Sequence, residues 1–206
     1  MQKDWLDRLE NRLGFLALPG LAAWLAGMNA IVGVMTLFKP EFPARLTLDP
    51  AALAAGEAWR ALTFLFIPPK TAPLWLAIWI ILIYAVMRGL ERGWGEFRFT
   101  VFMLAGAAAM SAAALALGAG FSSGPLQVGV FLAFAHLHPE MTLMLFLILP
   151  VKVRTLASLV WIWVAWTVLS GGAYARVATL AGLVNYSLFF GPEHWAAARR
   201  FFSRLR

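Results

Sequence analysis

The chain of 206 residues is 62% apolar and 13% charged, where a soluble domain has about 45–50% and about 25%; this excess argues against a soluble enzyme and excludes intrinsic disorder. It has no cysteine, which removes disulfide frameworks, thiolate metal sites and cysteine nucleophiles. Its net charge of +7 comes from 17 Lys and Arg against 10 Asp and Glu, and in so apolar a chain that balance reports membrane topology rather than a nucleic-acid partner.

Residues 1–15 read as an interfacial helix. Trp5, Leu9 and Leu13 recur every four residues, and Asp4, Asp7 and Glu10 alternate with Lys3, Arg8 and Arg12. The mixture of acids and bases is unlike the basic start of a signal peptide. Leu13 to Phe38 then carries no charge over 26 residues, enough for a first span at about 19–38.

Residues 39–70 form a connection too long for a plain turn, so it should hold structure of its own. Asp49 is a good helix cap and Pro50 suits the first helical position. Trp59 and Arg60 head an apolar run that Pro68-Pro69 ends. So apolar a loop belongs in the membrane interface, with Trp59 at headgroup level. Arg60 should avoid hydrocarbon by bonding loop carbonyls or Glu57, three residues earlier on the same face. Trp59 and Arg60 are the candidate binding residues.

Spans follow at about 71–90 and 97–117. Gly118-Ala-Gly-Phe-Ser-Ser-Gly-Pro125 is turn-rich and must leave the helix. The next span, 124–138, reaches only about 22 Å at 1.5 Å per residue, so it needs shielding by other helices. Met141 to Pro150 is apolar but too short to cross; it reads as a buried re-entrant or interfacial stretch. Spans at 153–171 and 174–190 complete six, followed by a basic tail over 193–206. Placing the N-terminus in the cytoplasm puts twelve of the 17 Lys and Arg on that side, so both termini should be cytoplasmic. The fold class is all-α: a polytopic membrane protein with a short central fourth helix.

Several segments together resemble the rhomboid superfamily. Gly56-Glu-Ala-Trp59-Arg60-Ala-Leu-Thr-Phe-Leu-Phe66 is similar to the rhomboid first-loop motif with its Trp-Arg pair. Gly89-Leu-Glu91-Arg-Gly-Trp94-Gly95-Glu-Phe-Arg98-Phe99 resembles the turn between rhomboid spans two and three. Ala133-Phe-Ala-His-Leu-His-Pro139-Glu140, followed by Leu143-Met-Leu-Phe-Leu-Ile-Leu-Pro150-Val-Lys152-Val-Arg154, resembles the end of span four and the start of span five. The pieces occur in family order over residues 15–190. The resemblance implies a six-helix bundle around a short fourth helix, and in active members an intramembrane Ser-His dyad.

That chemistry does not carry over. Aligned on Pro139, the nucleophile position falls at Gly124, or at Ser123 with a one-residue gap, and Phe121-Ser122-Ser123-Gly124-Pro125 lacks the leading glycine of Gly-x-Ser-Gly. Thr179, in Ala178-Thr179-Leu-Ala-Gly182, stands where the resemblance puts the base. Trp75 and Trp79 stand where a His and an Asn would hold the oxyanion. Independently of the alignment, His136 and His138 follow the serines by 13 to 16 residues, about 20–24 Å along a helix. A general base works within about 3.2 Å or through one water. A Ser-Lys arrangement would have to use Lys70.

Weaker signals have structural readings. Gly120-Phe-Ser122-Ser-Gly124 matches a hydrolase elbow, which needs a strand before it. His136-x-His138-x-Glu140 does not share one helical face, so it is not a metal site. Asn29, Gln127, Asn185 and Ser187 lie within spans and suit interhelical hydrogen bonding, or a polar groove for client segments. Ala105, Ala109 and Ala113 permit close helix packing. The Arg-rich tail can meet anionic lipid.

The expected protein is thus an integral membrane, rhomboid-like pseudoprotease, derlin-like in role, which binds transmembrane clients or perturbs the bilayer. It should have no catalytic residue, metal or cofactor. Its partners are the lipid bilayer and transmembrane segments, not nucleic acid. In a bacterium it would occupy the plasma or inner membrane. The competing readings are an intramembrane serine protease with a displaced or atypical site, and a plain scaffold.

Overall fold

The structure is a computed structural model that describes residues 4–69, 72–145 and 149–203. Lys3, Lys70, Arg204 and Arg206, used in the readings above, lie outside the described residues. The fold is mostly helical, as the composition required. In chain order its helices are α1 (Asp4–Leu13), α2 (Leu21–Phe38), α3 (Pro50–Ala54), α4 (Arg60–Thr63), α5 (Pro73–Trp94), α6 (Glu96–Leu117), α7 (Gly124–Leu137), α8 (Val153–Ser170), α9 (Ala173–Gly182) and α10 (Val184–Ser203). Four of them, α2, α5, α6 and α8, are long and apolar enough to cross a bilayer, which points to a membrane protein.

Local chemistry sets the helix ends. Pro73 opens α5 and Pro125 lies in the first turn of α7, positions where a missing amide proton costs nothing. Gly95 turns α5 directly into α6 at φ 88°, and Gly118 ends α6 at φ 64°; residues with a Cβ adopt this left-handed region only under strain.

The stretch Met141 to Pro150, expected to be re-entrant or interfacial, contributes two strands rather than a helix among the described residues. Strand β1 (Thr142–Leu145) pairs antiparallel with β2 (Leu149–Lys152). Leu-rich alternation next to Pro150 fits a hairpin, whose backbone groups satisfy one another where a stretch of that length could not cross as a helix. Among the described residues the fold is therefore all-α apart from one two-stranded sheet. The stretch read as 174–190 is two helices, α9 and α10, meeting at Leu183. The Leu183 N–H still donates to Thr179 O at 3.2 Å, so the path stays helical, and α10 continues through Pro192 into the basic tail.

At one end of the bundle lie the long loop and the α6–α7 and α8–α9 connections; we call it the loop end. Leu48 bridges Phe121 there, and the Tyr174 hydroxyl donates to Gly120 O at 2.9 Å. At the opposite, hairpin end, buried Glu91 accepts the Ala22 N–H at the start of α2 and pairs with Arg88. Arg98 ties α1 to α6 through Asp7 and Glu10. At the hairpin base Glu140 binds Lys152 at 2.8 Å and Arg154 at 2.9 Å. The hydrogen bond from Lys152, then the charge of Arg154, hold its carboxyl below the usual carboxylate range.

Helix α7 is the centre of the bundle. It packs on α5, α8, α9 and α10 and touches α6, and its Leu126, Val130, Leu132 and Ala133 are fully buried or nearly so. Its 14 residues reach about 21 Å, well short of a bilayer core of about 30 Å. Surrounding helices supply the shielding that a short apolar segment needs.

Candidate functional site

The rhomboid resemblance would put a nucleophile at the head of α7. Ser123 is buried there and Ser122 is exposed. The Ser123 hydroxyl donates to Ile67 O at 2.9 Å, and its Oγ accepts from Gln127 Nε2 at 3.2 Å. Only the second contact follows from local spacing. Gln127 lies four residues on, one helical turn away on the same face, and Ile67 is brought in where the loop run stops at Pro68. A carbonyl oxygen and a carboxamide are not bases near neutral pH, so neither partner of Ser123 among the described residues can take its proton.

The other positions named by the resemblance do not complete a catalytic centre. Thr179 is buried on α9, and no hydrogen bond links it to either serine among the described residues. Trp75 and Trp79 lie on α5; the Trp79 Nε1 is buried with no acceptor. The three histidines sit far from Ser123. His136 Nε2 lies 3.3 Å from Glu193 and His194 Nε2 lies 2.8 Å from the Tyr186 hydroxyl. His138 packs against Phe134 and its Nε2 is buried without a partner. Among the described residues no group of three His, Asp or Glu side chains is placed to hold a metal.

Below Ser123 opens a lateral groove of about 320 Å³. Helix α7 forms its floor with Gly124, Gln127, Val128 and Phe131; α5 gives one wall and Val160 of α8 the other. α5 and α8 flank α7 and hardly touch each other, so the groove is open between them. Its lining is apolar apart from Gln127.

No protein-family model matches the chain, and no curated protein matches it significantly.

Trp59 and Arg60 lie elsewhere and do not line the groove. Arg60 stitches the long loop together. Its Nε donates to Glu57 at 2.6 Å and its Nη1 to Ala44 O and Thr47 O at 3.0 and 3.2 Å. Thr63 adds a bond to Leu46 O. Asp49 caps α3 by accepting from Ala51 and Ala52. Trp59 is 56% exposed, as an interfacial side chain would be.

The sequence pointed to Gln127 as a polar residue in a span but not to its bond with Ser123; the spacing of four residues carried that signal. The groove itself had no sequence signal, because Val128, Phe131 and Val160 look like any core residues.

Proposed function

We propose that this chain is a catalytically inactive, rhomboid-like membrane protein that receives transmembrane segments of other proteins against α7, or loosens the bilayer around them, without cutting them. One observation carries the reading: a lateral apolar groove between α5 and α8 leads to a serine whose proton goes to the Ile67 carbonyl. A hydrolase needs that proton on a base in the transition state. A binding site needs only the groove.

Other features support the same reading. The short central α7, the loop fastened by Arg60, and Gly182 of α9 packed tightly on Pro125 of α7 fit a six-span arrangement. In it, α7 makes the fourth crossing and α9 with α10 the sixth. The excess of Lys and Arg at the hairpin end supports a cytoplasmic position for both termini. The exposed Trp59 meets lipid headgroups at the other interface, beside the Arg60-fastened loop.

The test is photocrosslinking in native membranes from a reactive residue at Val128, on the groove floor. Capture of membrane-spanning proteins, absent when the reactive residue stands at exposed Leu159 on the outer face of α8, is expected. Adducts with lipid alone at Val128 would overturn the client reading.

A further inference from the structure

We infer that the groove discriminates among membrane-spanning guests by one hydrogen bond, favouring helices that present a donor side chain (Asn, Gln, Ser or Thr) to Gln127. This inference rests on the groove being a guest site. Gln127 is half-buried and lines the groove one turn below Ser123. Its Nε2 is engaged by the Ser123 Oγ at 3.2 Å, while its Oε1 has no donor among the described residues. A carboxamide oxygen accepts two hydrogen bonds, and hydrocarbon supplies none.

Asn29 and Asn185 are buried amides bonded through one atom only, with Asn29 Oδ1 and Asn185 Nδ2 unpaired, but neither side chain lines the groove. Asn29 donates to Leu25 O and Leu65 O at 2.9 and 3.0 Å, and Asn185 Oδ1 accepts the Tyr186 N–H. Gln127 differs because its free acceptor borders a space that a guest can enter. The remaining lining offers no competing bond. Trp79 is the other side chain there with a polar atom, and its Nε1 is buried beneath the surface. An acyl chain or a Leu side chain fills the volume but leaves Oε1 unpaired, so a lipid is a poorer occupant than a helix with a donor.

Size fixes the mode of contact. The groove's 320 Å³ is about ten times the share of one water in the liquid, room for a few side chains. A helix is about 10–12 Å across and does not enter whole. The guest therefore leans on the gap between α5 and α8 and inserts one face, with its donor at the depth of Gln127. Interhelical bonds of this kind correspond to a preference of about threefold, rising to nearly twentyfold for the strongest.

The test uses the full chain in phosphatidylcholine nanodiscs, with Phe131→benzoylphenylalanine as the photocrosslinker. Synthetic Leu-Ala transmembrane peptides carry Asn, Gln, Ser, Thr or Leu at one central position. Crosslinking of the Asn peptide at least about threefold above the Leu peptide is expected, with the excess lost in the near-isosteric Gln127→Met. Equal yields for all peptides with the wild-type residue at 127 would overturn the selection and leave guest binding standing. A preference that persists in Gln127→Met would also overturn it. Lipid adducts with no peptide captured would overturn guest binding itself. The peptide series needs no variant at 127, so the inference stays testable if Gln127→Met fails to fold.

Discussion

The Oδ1 of Asn185 occupies the space beside Gly129 that a side chain would need: a Cβ on Gly129 would come within 2.6 Å of it, and within 2.5 Å of the Gly182 carbonyl oxygen. Three helices, α7, α9 and α10, close on this point. Gly106 of α6 faces the other side of the same amide, where an added Cβ would come within 2.9 Å of its Nδ2. Gly129→Ala should therefore overpack the crossing, because one of the two contacting atoms is backbone and cannot turn aside. The expected loss is about 1–3 kcal/mol. Gly93→Ala is the control: its Cβ would meet only Leu137 Cδ1 at an ordinary 3.5 Å, and it should be neutral or slightly stabilising. Thermal melts in detergent compare the two, and equal melting temperatures would refute the tight crossing.

Arg60→Ala should leave Glu57 and the carbonyls of Ala44 and Thr47 without their donor. The Arg60 side chain is 12% exposed, but the acceptors it leaves are open to solvent, so the loss should be about 0.5–1.5 kcal/mol. Trp59→Ala, at a side chain more than half exposed, should stay within about 0.5 kcal/mol in detergent. A melting temperature unchanged by Arg60→Ala would show that the long loop does not depend on it.

A serine-directed fluorophosphonate should not label the protein. The Ser123 proton is held by Ile67 O, and the side chain on its oxygen is an amide donor. Labelling of the wild-type chain that disappears in Ser123→Ala would establish an activated serine and favour a protease with an atypical base.

Reporter fusions after Arg92, in the last turn of α5, and at the C-terminus should both report the cytoplasm. The motive is the concentration of Lys and Arg at the hairpin end. An external signal from either site would break the six-span arrangement, and with it the placing of α7 as the fourth crossing.

Much of the architecture was legible because membrane solvation acts on local sequence. Uncharged runs long enough to cross gave α2, α5, α6 and α8 within a few residues, and the shortness of α7 followed from the Gly- and Pro-rich stretch before it. The Asp49 cap and the Glu57–Arg60 pair were legible for the same reason: their partners lie within one turn. That His136 lies far from Ser123 could also be read from the sequence, because helical rise alone separates the two by about 20 Å.

What depended on distant partners was not legible. The β1–β2 hairpin was hidden because an apolar run of that length suits strand or helix equally by pattern. The proton of Ser123 goes to Ile67, a backbone carbonyl 56 positions away, and every residue but proline offers the same backbone groups. The glycines at 106, 129 and 182 became contact points only when α6, α7, α9 and α10 were brought together. The groove exists because α5 and α8 stand apart on either side of a helix too short to cross alone. Sequence fixes which segments leave water; only packing decides which of their faces stay uncovered.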